Sequence, residues 1–364
     1  MNVTVILPTF KRPGPLVWSL LSVLHQNVGD GDARHSLVVL NNDTEREPVE
    51  KAVAKALSEA THGNWTVEVI HRDPPMDPVL SWYGGIREYA RSGDVVFLHG
   101  DDDLMLPGSL AARSAILEES GAPILLTLSR SGLVFEEGDA ARAFFPAPIG
   151  STESARDWRF VAPHEMTRFG PAFIGNHAYR ASQEFFAGFD EVLSLMRSVP
   201  LEGRQQLAML PYFLPLPFLS AKRVAGAEIA GTLRGMRLEE AVGHRFGHFN
   251  WVPGLLYAAS LLLLESPPLR DRAELAGMRE EMLRNVHRWY VPSMVDRETR
   301  LQFRHFQRAL GVPRLRHASD LAAGAWMTAK TLAGGQALLH RMFGWGEPAS
   351  LDDLIASYSR YVED

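Results

Sequence analysis

The sequence predicts an α/β protein whose first half is a doubly wound, mostly parallel sheet, followed by a helical C-terminal region. Three observations carry that prediction. Short β-branched runs alternate with segments of helical periodicity, four such runs occur before residue 100, and each of them ends in polar or turn residues.

The elements follow in order. Residues 3–7, VTVIL, stop at Pro8 and read as a buried strand. After the KRPGP turn, Leu16, Leu20, Val23 and Leu24 recur at helical spacing, with Val17 and Leu21 widening the stripe. A second strand, Ser36 to Leu40, runs into Asn41-Asn42-Asp43-Thr44, and helical sequence follows from Pro48 to Ala60. Thr66 to Ile70 is the third strand, succeeded by a Pro-rich loop and a helix around Trp82 to Arg91. Asp94 to Leu98 is the fourth, and it leads directly into Gly100-Asp101-Asp102-Asp103. Strand and helix alternating in this way imply right-handed crossovers and parallel pairing. From about 105 to 220 the pattern is mixed, with one further strand expected at Ile124–Leu128. After about 225 the sequence turns mainly helical. Leu275, Met278, Met282 and Val286 share a face of Ala273–Tyr290; Leu301, Phe306 and Leu310 mark another helix; Leu351–Tyr361 is a last one, with Ser350 as N-cap and Asp352-Asp353 in its first turn.

Composition narrows the class. A chain of 364 residues is expected to hold about two domains. With 46% hydrophobic and 22% charged residues it is an ordinary globular protein. The formal charge of −6 argues against a nucleic-acid clamp driven by counterion release. The absence of cysteine excludes disulfides, thiolate metal sites and cysteine nucleophiles. It fits a cytoplasmic location, as does an N-terminus, MNVTVILPTF, without the basic start and apolar core of a signal peptide. The longest apolar run, Val252 to Leu264, contains Pro253 and Gly254 and is too short to span a bilayer.

In a doubly wound sheet, ligands lie beyond the carboxyl ends of the strands. Four polar caps converge there: Pro8-Thr9, Asn41-Asn42-Asp43, His71-Arg72-Asp73 and Asp101-Asp102-Asp103. Three consecutive aspartates repel one another unless a positive group offsets them. Pinned between the buried-looking VVFL and LMLPGSL, they suit Mg2+ or Mn2+, held by one or two carboxylates together with phosphate oxygens. The plain alternative is a solvated acidic turn that caps the next helix.

VTVILPTFKRPGPLVWSLLSVLHQ, VVLNNDT and GDVVFLHGDDDLMLPGSL, in that order and spacing, resemble the family 2 glycosyltransferases of GT-A fold. The resemblance covers residues 1–110, and a weaker echo, FIGNHAYRASQEFFAGFDE, extends it to about 220. It implies a metal-dependent, inverting transfer from a nucleotide-diphosphate sugar, with a UDP-sugar favoured, to the hydroxyl of a glycan, lipid-linked glycan or small-molecule natural product. Pro8, Thr9 and Arg12 stand where the family's first loop contacts the nucleotide. Asn41 replaces the usual base-recognising aspartate, with Asp43 two residues on. Asp101 and Asp103 match the DxD motif that holds Mn2+ or Mg2+ and the diphosphate, and Asp102 can take the place of Asp101 if the alignment slides by one. The family's catalytic base falls in SLMRSVPLEGRQQLAML, where Glu202 is the only carboxylate and Gly203 replaces a paired aspartate; Asp190 is the second candidate. Residues 1–225 are then the catalytic domain. Residues 226–364 form a helical region that covers the acceptor, joins two copies or contacts a membrane surface from the cytoplasmic side.

Further features are weighed against plainer readings. His244 and His248 share a face at helical spacing, and His248 would complete a metal shell; packed structural histidines are the commoner outcome beside Phe246, Phe249 and Trp251. Six arginines between Arg297 and Arg316, against Glu298 alone, suit an anionic surface, though a solvated helix face explains them equally simply. Trp82, Tyr83, Trp158 and Phe173 are candidates to stack on a sugar, and aromatics so placed are more often core. Two rival functions remain in view. A nucleotidyltransferase would use the same aspartates but needs a glycine-rich basic loop that this N-terminus lacks. A GT-A scaffold without turnover would account for Asn41 and Gly203, yet gives no reason for three adjacent carboxylates.

Overall fold

The structure, a computed structural model, describes residues 2–27, 33–60, 65–76, 78–106, 108–127, 133–137, 140–143, 158–162, 165, 177–198, 223–227, 229, 232–237, 260–261, 264–265 and 267–290. The first strands and helices appear where the periodicity places them: β1 Val3–Thr9, α1 Pro13–Leu24, β2 His35–Asn41, α2 Glu47–Glu59, β3 Trp65–His71, α3 Pro78–Tyr89 and β4 Val95–Leu98. The chain continues through β5 Leu104–Met105, α4 Ser109–Ser120, β6 Ile124–Thr127, β7 Leu133–Glu137, β8 Ala140–Ala143, β9 Trp158–Phe160, β10 His177–Arg180, α5 Gln183–Ser198, β11 Val224–Ala227 and β12 Thr232–Arg237. A helical turn at Pro267–Arg270 and a 3-10 turn at Ala273–Leu275 lead into α6, Ala276–Tyr290.

Eight strands form the main sheet in the order β3-β2-β1-β4-β10-β6-β11-β9. β1, β2, β3 and β4 are mutually parallel, as is the pair β6 and β11; β10 and β9 run against their neighbours. The sheet is therefore mostly parallel but mixed, as the sequence predicts for its first half. A second sheet, β5-β12-β7-β8, grows from the chain just past the acidic triplet. Two strands fall at and just after residue 225, where the sequence is expected to turn mainly helical. β11 reaches Ala227 within the main sheet, and β12 occupies 232–237, where short VAGA and TLRGMR runs lack the length and alternation that would mark them as strands. The helix at Ala273–Tyr290 is observed, with a 3-10 first turn. The helices expected at Leu301–Leu310 and Leu351–Tyr361 lie outside the described residues.

The two-residue period of β1 explains how both faces are covered. Val3, Val5 and Leu7 join Leu37, Val39, Val95 and Phe97 in a core closed by Leu16, Leu20 and Leu24 of α1, Val49 and Val53 of α2, and Ile116 and Leu117 of α4. Ile6 and Leu40 face the other way, toward Gly85 of α3. On that second face Tyr83 of α3 meets Phe189 of α5, and Tyr179 of β10 meets Phe185, so α3 and α5 cover it. Among the described residues no helix is long and apolar enough to cross a membrane.

Candidate active site

The strand register builds the site. Thr9 pairs with Asn41, and Asn41 with His71, so three polar strand ends stand side by side. β4 stops earlier, at Leu98 opposite Ile6, and His99 N–H still donates to the Ile6 carbonyl at 2.9 Å. The chain then turns, and the triplet comes to rest against the end of β1.

Each aspartate of the triplet has a different environment. Asp101 is only 8% exposed; its Oδ2 accepts from Thr9 Oγ1 at 2.8 Å and from Phe10 N–H at 3.3 Å. Burial, with the Asp102 carboxylate alongside, pushes the Asp101 carboxyl up to about 7, against the opposing pull of Arg12 and of the two hydrogen bonds. Asp102 is more exposed and forms an ion pair with Arg12. Asp103 is 6% exposed, and its N–H closes a turn onto the Gly100 carbonyl at 3.2 Å. A Cβ at Gly100 would stand 2.5 Å from Asp103 Oδ2, so only glycine leaves that carboxylate its place. The first loop is shaped for the same contact: Lys11 holds φ of 58°, a left-handed conformation uncommon outside glycine, and the N–H of Phe10 just before it faces Asp101.

These residues fit a hard divalent cation. Carboxylate oxygens are the right donors, and a desolvated carboxyl crowded by its neighbour gains most from a positive charge. Among the described residues no three histidines, cysteines or acids are arranged to hold a metal ion by themselves. Magnesium and manganese bound with phosphate commonly take only one or two protein carboxylates.

The β2 end is organised differently. Asn41 is fully buried, and its amide is spent within the protein. Nδ2 donates to the Glu45 carbonyl at 2.9 Å and approaches His71 Nδ1 at 3.1 Å, while Oδ1 accepts from Asp43 N–H at 3.0 Å. Asn42 clamps the β3–α3 loop, with Nδ2 donating to the Met76 carbonyl at 2.8 Å and Oδ1 accepting from Met76 N–H at 2.7 Å. The Oδ1 of Asp43 accepts from Thr44 N–H at 2.8 Å, holding that carboxylate in the turn. His71 reaches Glu50 through Nε2 at 3.2 Å, and Arg72 pairs with Glu88 at 2.5 Å.

The structure brings Thr9, Arg12, Asp101 and Asp102 into direct contact, with Pro8 beside Leu40 and Asp103 closing the same turn. Asn41 and Asp43 form the neighbouring strand end. Asp190 lies on α5, half exposed, with both carboxylate oxygens within 3.2–3.3 Å of Arg87 Nε on α3. Glu202, His244, His248, Phe173 and the arginines from Arg297 to Arg316 lie outside the described residues. Tyr83 is core, packed on Phe189, and Trp158 packs against Phe160 and the main core, so the plain reading applies to both. Sequence reasoning missed the buried polar groups behind the turn, Ser19, Ser22 and Gln26. Their i, i+3, i+7 spacing in and just past an apolar helix was the available signal.

No known family's sequence pattern matches this chain, and no curated protein matches it. Solved structures do. S. aureus TarS 1–349 in complex with UDP-GlcNAc is similar over 100% of this chain and 92% of its own, with a TM-score of 0.51 at 12% identity. The mannosyltransferase PcManGT from Pyrobaculum calidifontis, in complex with GDP-Man and Mn2+, is matched over 99% of this chain and 86% of its own at 14% identity, with a TM-score of 0.43. At 12% identity the likeness to TarS shows the fold, and the mostly parallel, mixed eight-stranded sheet with its helices agrees with it: this chain has the GT-A fold.

Proposed function

We propose that this protein is a metal-dependent, inverting glycosyltransferase that uses a nucleotide-diphosphate sugar, with a UDP-sugar favoured. One observation carries the reading: a buried acidic turn, its Asp101 carboxyl raised to about 7, set against the end of β1 in a GT-A sheet. The UDP-GlcNAc bound to TarS, a protein of the same fold, supports a nucleotide sugar as ligand. A fold hosts many chemistries, so the site and not the fold bears the weight.

Asp101 and Asp103 would hold Mn2+ or Mg2+, with Asp102 able to substitute for Asp101 and His248 a further candidate ligand. The ion supplies charge neutralisation for the diphosphate leaving group. Thr9 fixes one oxygen of Asp101 through its hydroxyl, and the Phe10 N–H shares that oxygen. Arg12 pairs with Asp102 and would turn toward a phosphate oxygen. Pro8, Thr9, Asn41 and Asp43 line the nucleotide side. Because Asn41 is spent internally, it would shape the base pocket, leaving the Asp43 carboxylate nearer to the ligand. Transfer needs a carboxylate that takes the proton from the acceptor hydroxyl as oxygen attacks the anomeric carbon and the diphosphate departs from the opposite face. Glu202 is the proposed base. Asp190 is the reserve and would first have to leave Arg87. Residues 1–225 with the strands that follow them would form the catalytic unit, and the remainder would serve the acceptor, a second copy or a membrane surface.

The test is release of nucleoside diphosphate from UDP-GlcNAc, UDP-glucose, UDP-galactose and GDP-mannose, with Mn2+ and without added acceptor. Hydrolysis of one donor that vanishes with EDTA and in Asp103→Ala supports the reading. Hydrolysis that persists in EDTA, or is the same in Asp103→Ala, contradicts it.

A further inference from the structure

Three polar side chains on the buried face of α1 and just beyond its end meet the acidic turn from behind. Ser19 Oγ donates to the Gly100 carbonyl at 2.7 Å, the same oxygen that accepts the Asp103 N–H. Ser22 Oγ accepts from Met105 N–H at 3.0 Å while donating to the Ser19 carbonyl at 2.7 Å. Gln26 Nε2 donates to the Ser22 carbonyl at 2.9 Å and the Met105 carbonyl at 3.4 Å, and its Oε1 accepts from Leu110 N–H at 3.4 Å. Ser19 is fully buried and Gln26 is 3% exposed.

Ser19 and Ser22, at i and i+3, share one face of a helix packed mainly by leucine and valine, and Gln26 follows just past its end. That face would be apolar if α1 served only to cover the sheet, since buried polar groups are retained only where partners satisfy them. Here the partners are the backbone atoms on both sides of Asp101, Asp102 and Asp103. Adjacent carboxylates tend to spread apart, and a loop with free backbone would let them do so. Anchored at Gly100, Met105 and Leu110, this turn cannot.

We infer that Ser19, Ser22 and Gln26 are positioning residues that preorganise the acidic turn for its cation and diphosphate. The inference rests on the donor-site reading above and deepens it. None of the three touches the ligand. They act through the backbone of the turn, as outer partners of metal ligands do.

The experiment compares calorimetric titration of UDP and of GDP, each with Mn2+ and with EDTA, on the full chain. Wild type, Ser19→Ala, Ser22→Ala and Ser22→Thr are measured beside Val53→Ala, a core truncation in α2. Melting temperatures are recorded for all five. Because Gly100 O keeps the Asp103 N–H as a partner, Ser19→Ala is expected to fold. The two alanine variants at positions 19 and 22 should lose about 10–100-fold of the metal-dependent gain in affinity. Ser22→Thr, which keeps the hydroxyl, should regain most of it, and Val53→Ala should lower the melting temperature without changing the gain. If Ser19→Ala and Ser22→Ala melt earlier yet keep the full gain, the positioning role is overturned. If wild type shows no metal-dependent gain with either nucleotide, the donor-site reading fails first and takes the inference with it.

Discussion

β4 is bracketed by two buried aspartates with nearly identical partners. Asp94, just before the strand, accepts from Thr4 Oγ1 at 2.8 Å and from Arg91 N–H at 3.1 Å. Asp101, three residues past it, accepts from Thr9 Oγ1 at 2.8 Å and from Phe10 N–H at 3.3 Å. Both draw a threonine hydroxyl from β1 and one backbone N–H. The difference is company. Asp94 is the lone acid of its turn, whereas Asp101 sits in a run of three, and burial, with the Asp102 carboxylate alongside, raises its carboxyl to about 7. One end of the strand uses an aspartate to close a turn. The other collects charge that the fold alone has no use for, the arrangement expected where stability has been given up for function.

Substitution should separate the two ends. The largest effect is expected from Asp103→Ala: donor turnover should fall on the order of 10³-fold, with little change in melting temperature. Asp101→Asn should also abolish most metal-dependent activity while keeping an acceptor for Thr9. Its effect on the metal-free protein has a definite sign. A carboxyl raised from 3.8 to about 7 stabilises the fold least once pH exceeds 7, so the asparagine variant in EDTA at pH 8 should melt at or above wild type. Similar stability loss in Asp101→Asn and Asp94→Asn would erase the contrast.

Asp94→Ala should do the reverse. It strands the Thr4 hydroxyl and the Arg91 N–H, at a cost of about 2–4 kcal/mol by denaturant unfolding, and leaves nucleotide affinity with Mn2+ intact.

A pH series sharpens the comparison further. His99, at the end of β4, and His177, on neighbouring β10, are buried near Arg113, and burial lowers them to about 3 and about 4. Both are bases with depressed folded values, so the stability they confer is present above the unfolded value of 6.5 and is lost as pH falls toward 4. Unfolding free energy should drop by about 2 kcal/mol for each between pH 7 and pH 5. His177→Gln should flatten that slope. An unchanged slope in the variant would place the acid sensitivity elsewhere.

The smallest effects come from two glycines. Gly100→Ala presses a methyl group on Asp103 Oδ2 and should cost activity about tenfold with a small change in melting temperature. Gly85→Ala meets Leu40 Cδ1 at 2.5 Å and Ile6 Cγ2 at 3.0 Å, between α3 and the sheet, and should cost about 1–3 kcal/mol of stability while sparing the metal dependence.

Much of this was legible beforehand. β1, β2 and β4 were visible because a parallel sheet buried on both faces demands unbroken apolar runs, and VTVIL, SLVVL and VVFL supply them; β3, at the sheet edge, showed instead as a short β-branched run. Their polar ends announced the site. β11 and β12 were not legible. VAGA and TLRGMR carry too few β-branched residues to signal strands, and tertiary pairing with β6 and β7 decides their conformation. That Asp101, Thr9 and Arg12 lie close together was expected from motif and order, but their pairing needed geometry: which aspartate takes Thr9, and which takes Arg12, cannot be read from DDD. Asn41 was recognisable as a departure from the family; that its amide is turned inward toward Glu45, His71 and Asp43 follows only from the register that sets β2 between β1 and β3.

A metal-dependent donor site is tested most directly by calorimetric comparison of UDP, GDP, CDP and dTDP, each with and without Mn2+, binding to wild type and to Asp103→Ala. One nucleotide should bind tightly to wild type with Mn2+, and removing either the ion or the carboxylate should abolish most of that affinity. Binding of none of the four, or equal binding in Asp103→Ala without metal, would contradict it.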